Sequence, residues 1–182
     1  MLIANVWGAD SKLPGMTHVT QRANRSVPEP ESIVSFSERA KSLPQPPHPF
    51  WSNFDQRPLE WIDDWESREP SEPVKEGWFR YVSKASSSDP WADAGRALVV
   101  LDVDVWNAVL LANTGALEYI APTIELTCRF PSSGPLGEWL FCRSEALSAS
   151  DGIVVGTGEI WSEDGQLVAS SGCTMLCRAI NR

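Results

Sequence analysis

Residues 88–113, SDPWADAGRALVVLDVDVWNAVLLAN, restrict the fold of this chain more than any other stretch. They read as one long helix. Ser88 or Asp89 can cap it by accepting a first-turn N–H, and Pro90 fits the first helical position, where its missing N–H costs nothing. Ala94, Leu98, Leu101, Val105 and Ala108 recur at helical spacing. From Leu98 to Leu111 the segment is apolar nearly all round, so it must be covered on most sides. Asp102 and Asp104 interrupt it. Two positions apart, they point in different directions and cannot serve one site. Asp102, beside the Leu98–Leu101–Val105 stripe, is either a surface carboxylate in a wet groove or an active-site acid on a buried helix.

The 182 residues suffice for one good core. A net charge of -9 argues against nucleic acid or an anionic membrane as partner. No apolar run is long enough to span a bilayer, and the N-terminus MLIANVWGADSK lacks a basic region leading into an apolar one, so a cytoplasmic protein is expected. Cys128, Cys142, Cys173 and Cys177 show no CxxC or paired-His spacing, so neither a metal site nor a disulfide framework is expected, and no cofactor is implied. The nine tryptophans are expected mostly in packing, with an aromatic pocket as the other possibility.

In chain order, residues 2–7 and 16–22 suggest a hairpin around GADSKLPG, which must dock because an isolated hairpin is marginal in water. His18 falls on its second strand and is expected at a surface or interface. The polar, Pro-punctuated segment that follows reads as an extended connection with a short helical turn near 35–41 and a solvent-facing His48. Strands are expected at 57–62, 77–83 and 123–130, with an acidic surface loop at 63–72. In the third, Ile124, Leu126, Cys128 and Phe130 share one face and Thr123, Glu125, Thr127 and Arg129 the other. Three more strands, at 138–148, 153–162 and 166–178, form a meander whose turns are marked by Asp151-Gly152 and Asp164-Gly165. The expected units are 1–23 (hairpin), 24–56 (linker) and 57–182 (main domain). Two strands, one buried helix and four strands predict an α+β fold, an antiparallel sheet wrapped around the long helix.

The segment GEWLFCRSEALSASDGIVVGTGEIWSEDGQLVASSGCTMLCR resembles the C-terminal signature of the acyl-CoA thioesterase II-like family, and RPLEWI, WFRYV and PTIELTCRF resemble strands around its central helix. The resemblance covers roughly residues 54–180. It implies a hotdog fold. Family members usually carry two hotdogs in one chain, so the N-terminal hairpin resembles a remnant of the first and the Pro-rich segment the joining linker. The family's hydrolytic site sets an Asp on the helix, a Ser or Thr at the start of the next strand and a Gln on the last strand around a water. By resemblance these positions are Asp102, Thr123 and Cys173. The third is a departure, because an amide donates and accepts strongly whereas a thiol does neither well. No His is placed to activate Cys173, which reads better as a small residue of a core strand.

Three functions follow from the resemblance. The first is hydrolysis of an acyl-CoA or related acyl thioester. The second is a hotdog enzyme diverted to dehydration, isomerisation or cyclisation of a polyketide-like substrate, favoured by Cys173 and by aromatic walls that suit a bulky apolar ligand. Only four lysines and the acidic balance also sit poorly with a polyanionic nucleotide. The third is a non-catalytic binding module. A homodimer is expected, because one hotdog leaves a sheet edge and the ligand tunnel incomplete.

Overall fold

Asp89 opens the central helix, its carboxylate accepting from the N–H groups of Trp91 and Ala92, with Pro90 at the first turn. The computed structural model describes residues 3–8, 10, 16, 18, 27–83, 86–114, 118–131 and 136–180. The helix expected as one piece is two, α2 (Pro90–Val103) and α3 (Val105–Leu111). They meet at Asp104, which stays in the right-handed region at φ -102° and ψ -9° but interrupts the regular helix. A short helix, α1 (Phe36–Arg39), precedes them and is capped by the Ser35 hydroxyl, as expected for the 35–41 turn.

Six strands form one antiparallel sheet in the order β1-β2-β5-β6-β7-β4. These are β1 (Phe54–Pro58), β2 (Val74–Tyr81), β4 (Thr123–Arg129), β5 (Leu140–Ser150), β6 (Ile153–Trp161) and β7 (Leu167–Leu176). A separate pair joins β3 (Tyr119–Ile120) to β8 (Arg178–Ala179). The meander is as expected, and Asp151 and Gly152 take φ of 53° and 76° at its first turn, the left-handed pair a tight hairpin requires.

The sheet curls around the helix. Val100, Leu101, Val105 and Ala108 are fully buried against inward residues of β5, β6 and β7 such as Cys142, Ile160 and Ala169. The helix comes closest over β6. A Cβ on Gly156 would lie 2.5 Å from Val105 Cγ1, and one on Gly158 would lie 2.9 Å from Leu101 Cδ2. These two glycines are the GTG of the motif, and they let the helix seat on the sheet.

Several expectations are corrected. In the first turns of α2 the inward positions are Asp93, Arg96 and Ala97, while Leu98 is 44% exposed. The cause is a buried ion pair. Arg96 Nη1 lies 3.0 Å from Asp93 Oδ1, Asp93 accepts from the Leu136 N–H, and Arg96 donates to the Gly137 carbonyl. With every charge paired, the cost of burying them is met and the stripe shifts by one residue. The first strand is 54–58, not 57–62. Its buried residues are Phe54, Gln56 and Pro58, and Pro58 is tolerated because β1 is an edge.

The start of the Pro-rich segment, residues 27–33, packs on the outer face of the sheet, where Trp78, Trp139, Phe141 and Trp161 cluster with Val27, Ile33 and Leu59. The indole N–H of Trp78 donates to the Pro28 carbonyl and that of Trp139 to Glu31, each at 3.0 Å. His48 is exposed, as expected. Within the loop at 63–72, expected as an acidic surface loop, Arg68 is buried and donates to the Leu110 carbonyl. Of the N-terminal hairpin, residues 3–8 take no strand and are exposed; the rest lies outside the described residues except Asp10, Met16 and His18, all exposed.

Candidate active site

Thr123 reaches the helix because β4 is irregular where it begins. Its register with β7 places Thr123 opposite Met175 and Glu125 opposite Thr174, so Ile124 is the extra residue of a bulge and is 57% exposed. The simple alternation expected for this strand would put Ile124 on the face of Leu126 and Cys128. The bulge gives that inward place to Thr123 instead. Opposite, β7 turns Ser171, Cys173 and Met175 inward.

Asp102, Thr123 and Cys173 are thereby brought together. The Thr123 hydroxyl donates to Asp102 Oδ1 at 2.8 Å and also contacts the Cys173 thiol. Asp102 is half-buried, and Cys173 is 2% exposed among Val105, Ala108, Val154 and Met175. Burial pushes the Cys173 thiol up to about 11, the Thr123 contact opposing the rise and the Asp102 charge adding to it. Cys128 is likewise pushed up to about 11, by burial first and then by Asp102. Both are neutral thiols near pH 7, the form that does not attack a carbonyl. Among the described residues no group of three or more His, Cys, Asp and Glu side chains could hold a metal ion, and no helix is long and apolar enough to cross a membrane.

The helix face bearing Asp102 is open. Trp91, at 71% exposure, and Leu98 precede Asp102 at helical spacing, and β4 presents a sheet edge that bears Ile124, with Phe130 just past its end. The arrangement offers a carboxylate oriented by a hydroxyl at the rim of an apolar face. It can accept a proton from a water or a substrate carbon, while the thiol opposite contributes shape more than hydrogen bonding.

Asp104 lies elsewhere, as its spacing from Asp102 demands. It is 5% exposed and accepts from Asn107 at 2.8 Å, in a cavity on the β1 flank that also holds Lys75. Sequence reasoning missed this second cluster. Its one visible signal was a carboxylate interrupting the most apolar part of the helix.

A curled antiparallel sheet around one helical axis is the hotdog fold. The chain belongs to the acyl-CoA thioesterase C-terminal domain family, whose model matches residues 21–174. Solved structures agree on the fold. A hot dog fold protein of unknown function from Alicyclobacillus acidocaldarius has a TM-score of 0.65 at 18% identity, over 92% of this chain and 59% of its own. The acyl-CoA thioesterase II of Mycobacterium marinum has 0.59 at 19%, over 92% and 59%. A thioesterase family protein from Silicibacter pomeroyi has 0.54 at 19%, over 72% and 90%. The chain thus spans about three fifths of the first two. A search of curated proteins returns no match.

Proposed function

We propose that this chain hydrolyses an acyl thioester, an acyl-CoA or a related acyl or polyketide-like thioester, at a site built on Asp102, Thr123 and Cys173. The observation that carries the reading is the 2.8 Å hydrogen bond from Thr123 to Asp102, created by the bulge at Ile124. Asp102 acts as general base. It takes a proton from a water that adds to the thioester carbonyl, and collapse of the adduct releases the acid and the free thiol. Thr123 fixes the carboxylate direction, and Cys173 closes the wall. Thiol release from a panel of acyl-CoAs by the full chain tests the reading, and the absence of release above background from every member overturns it.

One observation favours a second reading, a hotdog enzyme of a non-hydrolytic reaction. The residue that would hold the water by an amide is a neutral, buried thiol. Cys173→Gln decides between them. If the native chain has left hydrolysis, the substitution should raise acyl-CoA turnover about tenfold or more, since a restored donor–acceptor pair reorients the water. If the native chain is already a competent hydrolase, the larger side chain should lower the rate.

The active form is a homodimer in this proposal. Trp91, Leu98, Ile124 and Phe130 leave an apolar strip beside Asp102 and an unpaired edge on β4 among the described residues, which a second copy aligned edge to edge would cover. Light scattering should give twice the chain mass at micromolar concentration. A folded monomer there would remove the second copy from the site.

A further inference from the structure

The β1 flank of the molecule carries a partly open cavity of about 190 Å³ that the proposed hydrolysis does not use. Asp104 enters it from the break between α2 and α3, and Lys75 from the inward face of β2. Trp51, Trp61 and Trp65 form aromatic walls, and Asn107 stands beside Asp104. It shares Phe36, Leu43 and Trp51 with an open groove of about 1020 Å³ under the Pro-rich segment, so solvent has a route to it.

Asp104 is buried, and among the described residues its side chain accepts from Asn107, at Oδ1. The Lys75 ammonium, which carries three donors, gives one to the Glu60 carbonyl at 3.1 Å. Each feels the other's charge, but no direct ion pair joins them. Burial raises the Asp104 carboxyl above the usual range, with Asn107 and Lys75 opposing, and burial lowers Lys75 below the ordinary ammonium value, with Asp104 opposing. A carboxylate and an ammonium that feel each other's charge without a direct ion pair leave room for a group that hydrogen-bonds to both.

We infer that this cavity is a second binding site, for a small monocyclic aromatic that carries one hydroxyl, such as a phenol. Size and chemistry agree. A dry cavity of roughly 150 Å³ holds a benzene ring, and the extra volume accommodates a hydroxyl. The ring packs against the indoles. The hydroxyl is the head group that serves both ends, donating its proton to Asp104 and accepting from Lys75. An aromatic carboxylate brings a second negative charge against Asp104 and is disfavoured; a plain hydrocarbon leaves both charged groups unbridged.

Calorimetric titration of the full chain with phenol, benzoate and toluene tests the inference, with tryptophan fluorescence as an independent readout. Saturable binding of phenol with one site per chain is expected, with toluene and benzoate each weaker by about tenfold or more, the factor for a lost charge-assisted hydrogen bond. Asp104→Asn and Lys75→Met should each weaken phenol by a similar factor. Absence of saturable phenol binding through the millimolar range overturns the site. So does toluene or benzoate binding as tightly as phenol, a comparison made on the native chain that stands even where a variant fails to fold. Acyl-thioester hydrolysis is no part of the readout, so the two proposals fail separately.

Discussion

Asp102→Asn is expected to lower kcat/KM for acyl-thioester hydrolysis about a hundredfold or more, with little change in melting temperature. The substitution keeps the shape of the side chain and an oxygen that can still accept from Thr123, whose hydroxyl now sits 2.8 Å from Oδ1. It removes the charge that receives the proton from water. Because Asp102 is half-buried and pairs with a neutral hydroxyl rather than a cation, an amide costs the fold little. Thr123→Val separates the roles. It also keeps the shape but removes only the group that aims the carboxylate, so its loss should be smaller than that of Asp102→Asn. Initial rates of thiol release measure both, with circular dichroism melts as the control for folding. An Asp102→Asn variant with native rates would show that the base is another group.

The central helix and the meander were legible in the sequence because their signals are local. A capping Asp, a following Pro and an apolar run suffice for a helix, and Asp-Gly between alternating segments suffices for a hairpin. The first two turns of α2 were misphased because the residues turned inward, Asp93 and Arg96, are charged. Only their pairing with each other and with the distant 136–137 backbone makes that burial tolerable. Strand β1 was displaced for a related reason. FDQRP has no convincing alternation, and it is held by antiparallel pairing with β2. The covering role of residues 27–33 depends on Trp78 and Trp139, tens of residues away in sequence.

The candidate site was legible by resemblance and not by periodicity. Period-two alternation sends Thr123 away from Leu126 and Cys128, and only the bulge at Ile124 returns it to the helix. A bulge adds a residue without a sequence mark of its own here, since Ile is an ordinary strand residue. Asp104 was visible as an anomaly, yet Lys75 lies on another element and the cavity they share is lined by residues from four segments. Such a cluster has no spacing by which a sequence could announce it.

Gly156→Val is expected to be the most damaging single substitution in the sheet, costing about 3 kcal/mol or more. In a chain of this size that corresponds to a fall of roughly 6–12 °C in melting temperature. The new Cβ would lie 2.5 Å from Val105 Cγ1 on the helix and 2.7 Å from the Glu145 carbonyl oxygen on the neighbouring strand. The first contact can be relieved by moving a side chain; the second is backbone and cannot yield without breaking the β5–β6 pairing. Gly172 on β7 provides the contrast, since a Cβ there meets nothing within 4 Å, and Gly172→Ala should leave the melt nearly unchanged. Adding Val105→Ala to Gly156→Val removes the side-chain clash alone, so the pair should be less destabilised than the two single losses sum to. The residual cost then belongs to the Glu145 carbonyl. Thermal melts of the three single variants and the double variant measure it, and strictly additive losses would mean that the helix does not meet β6 at this glycine.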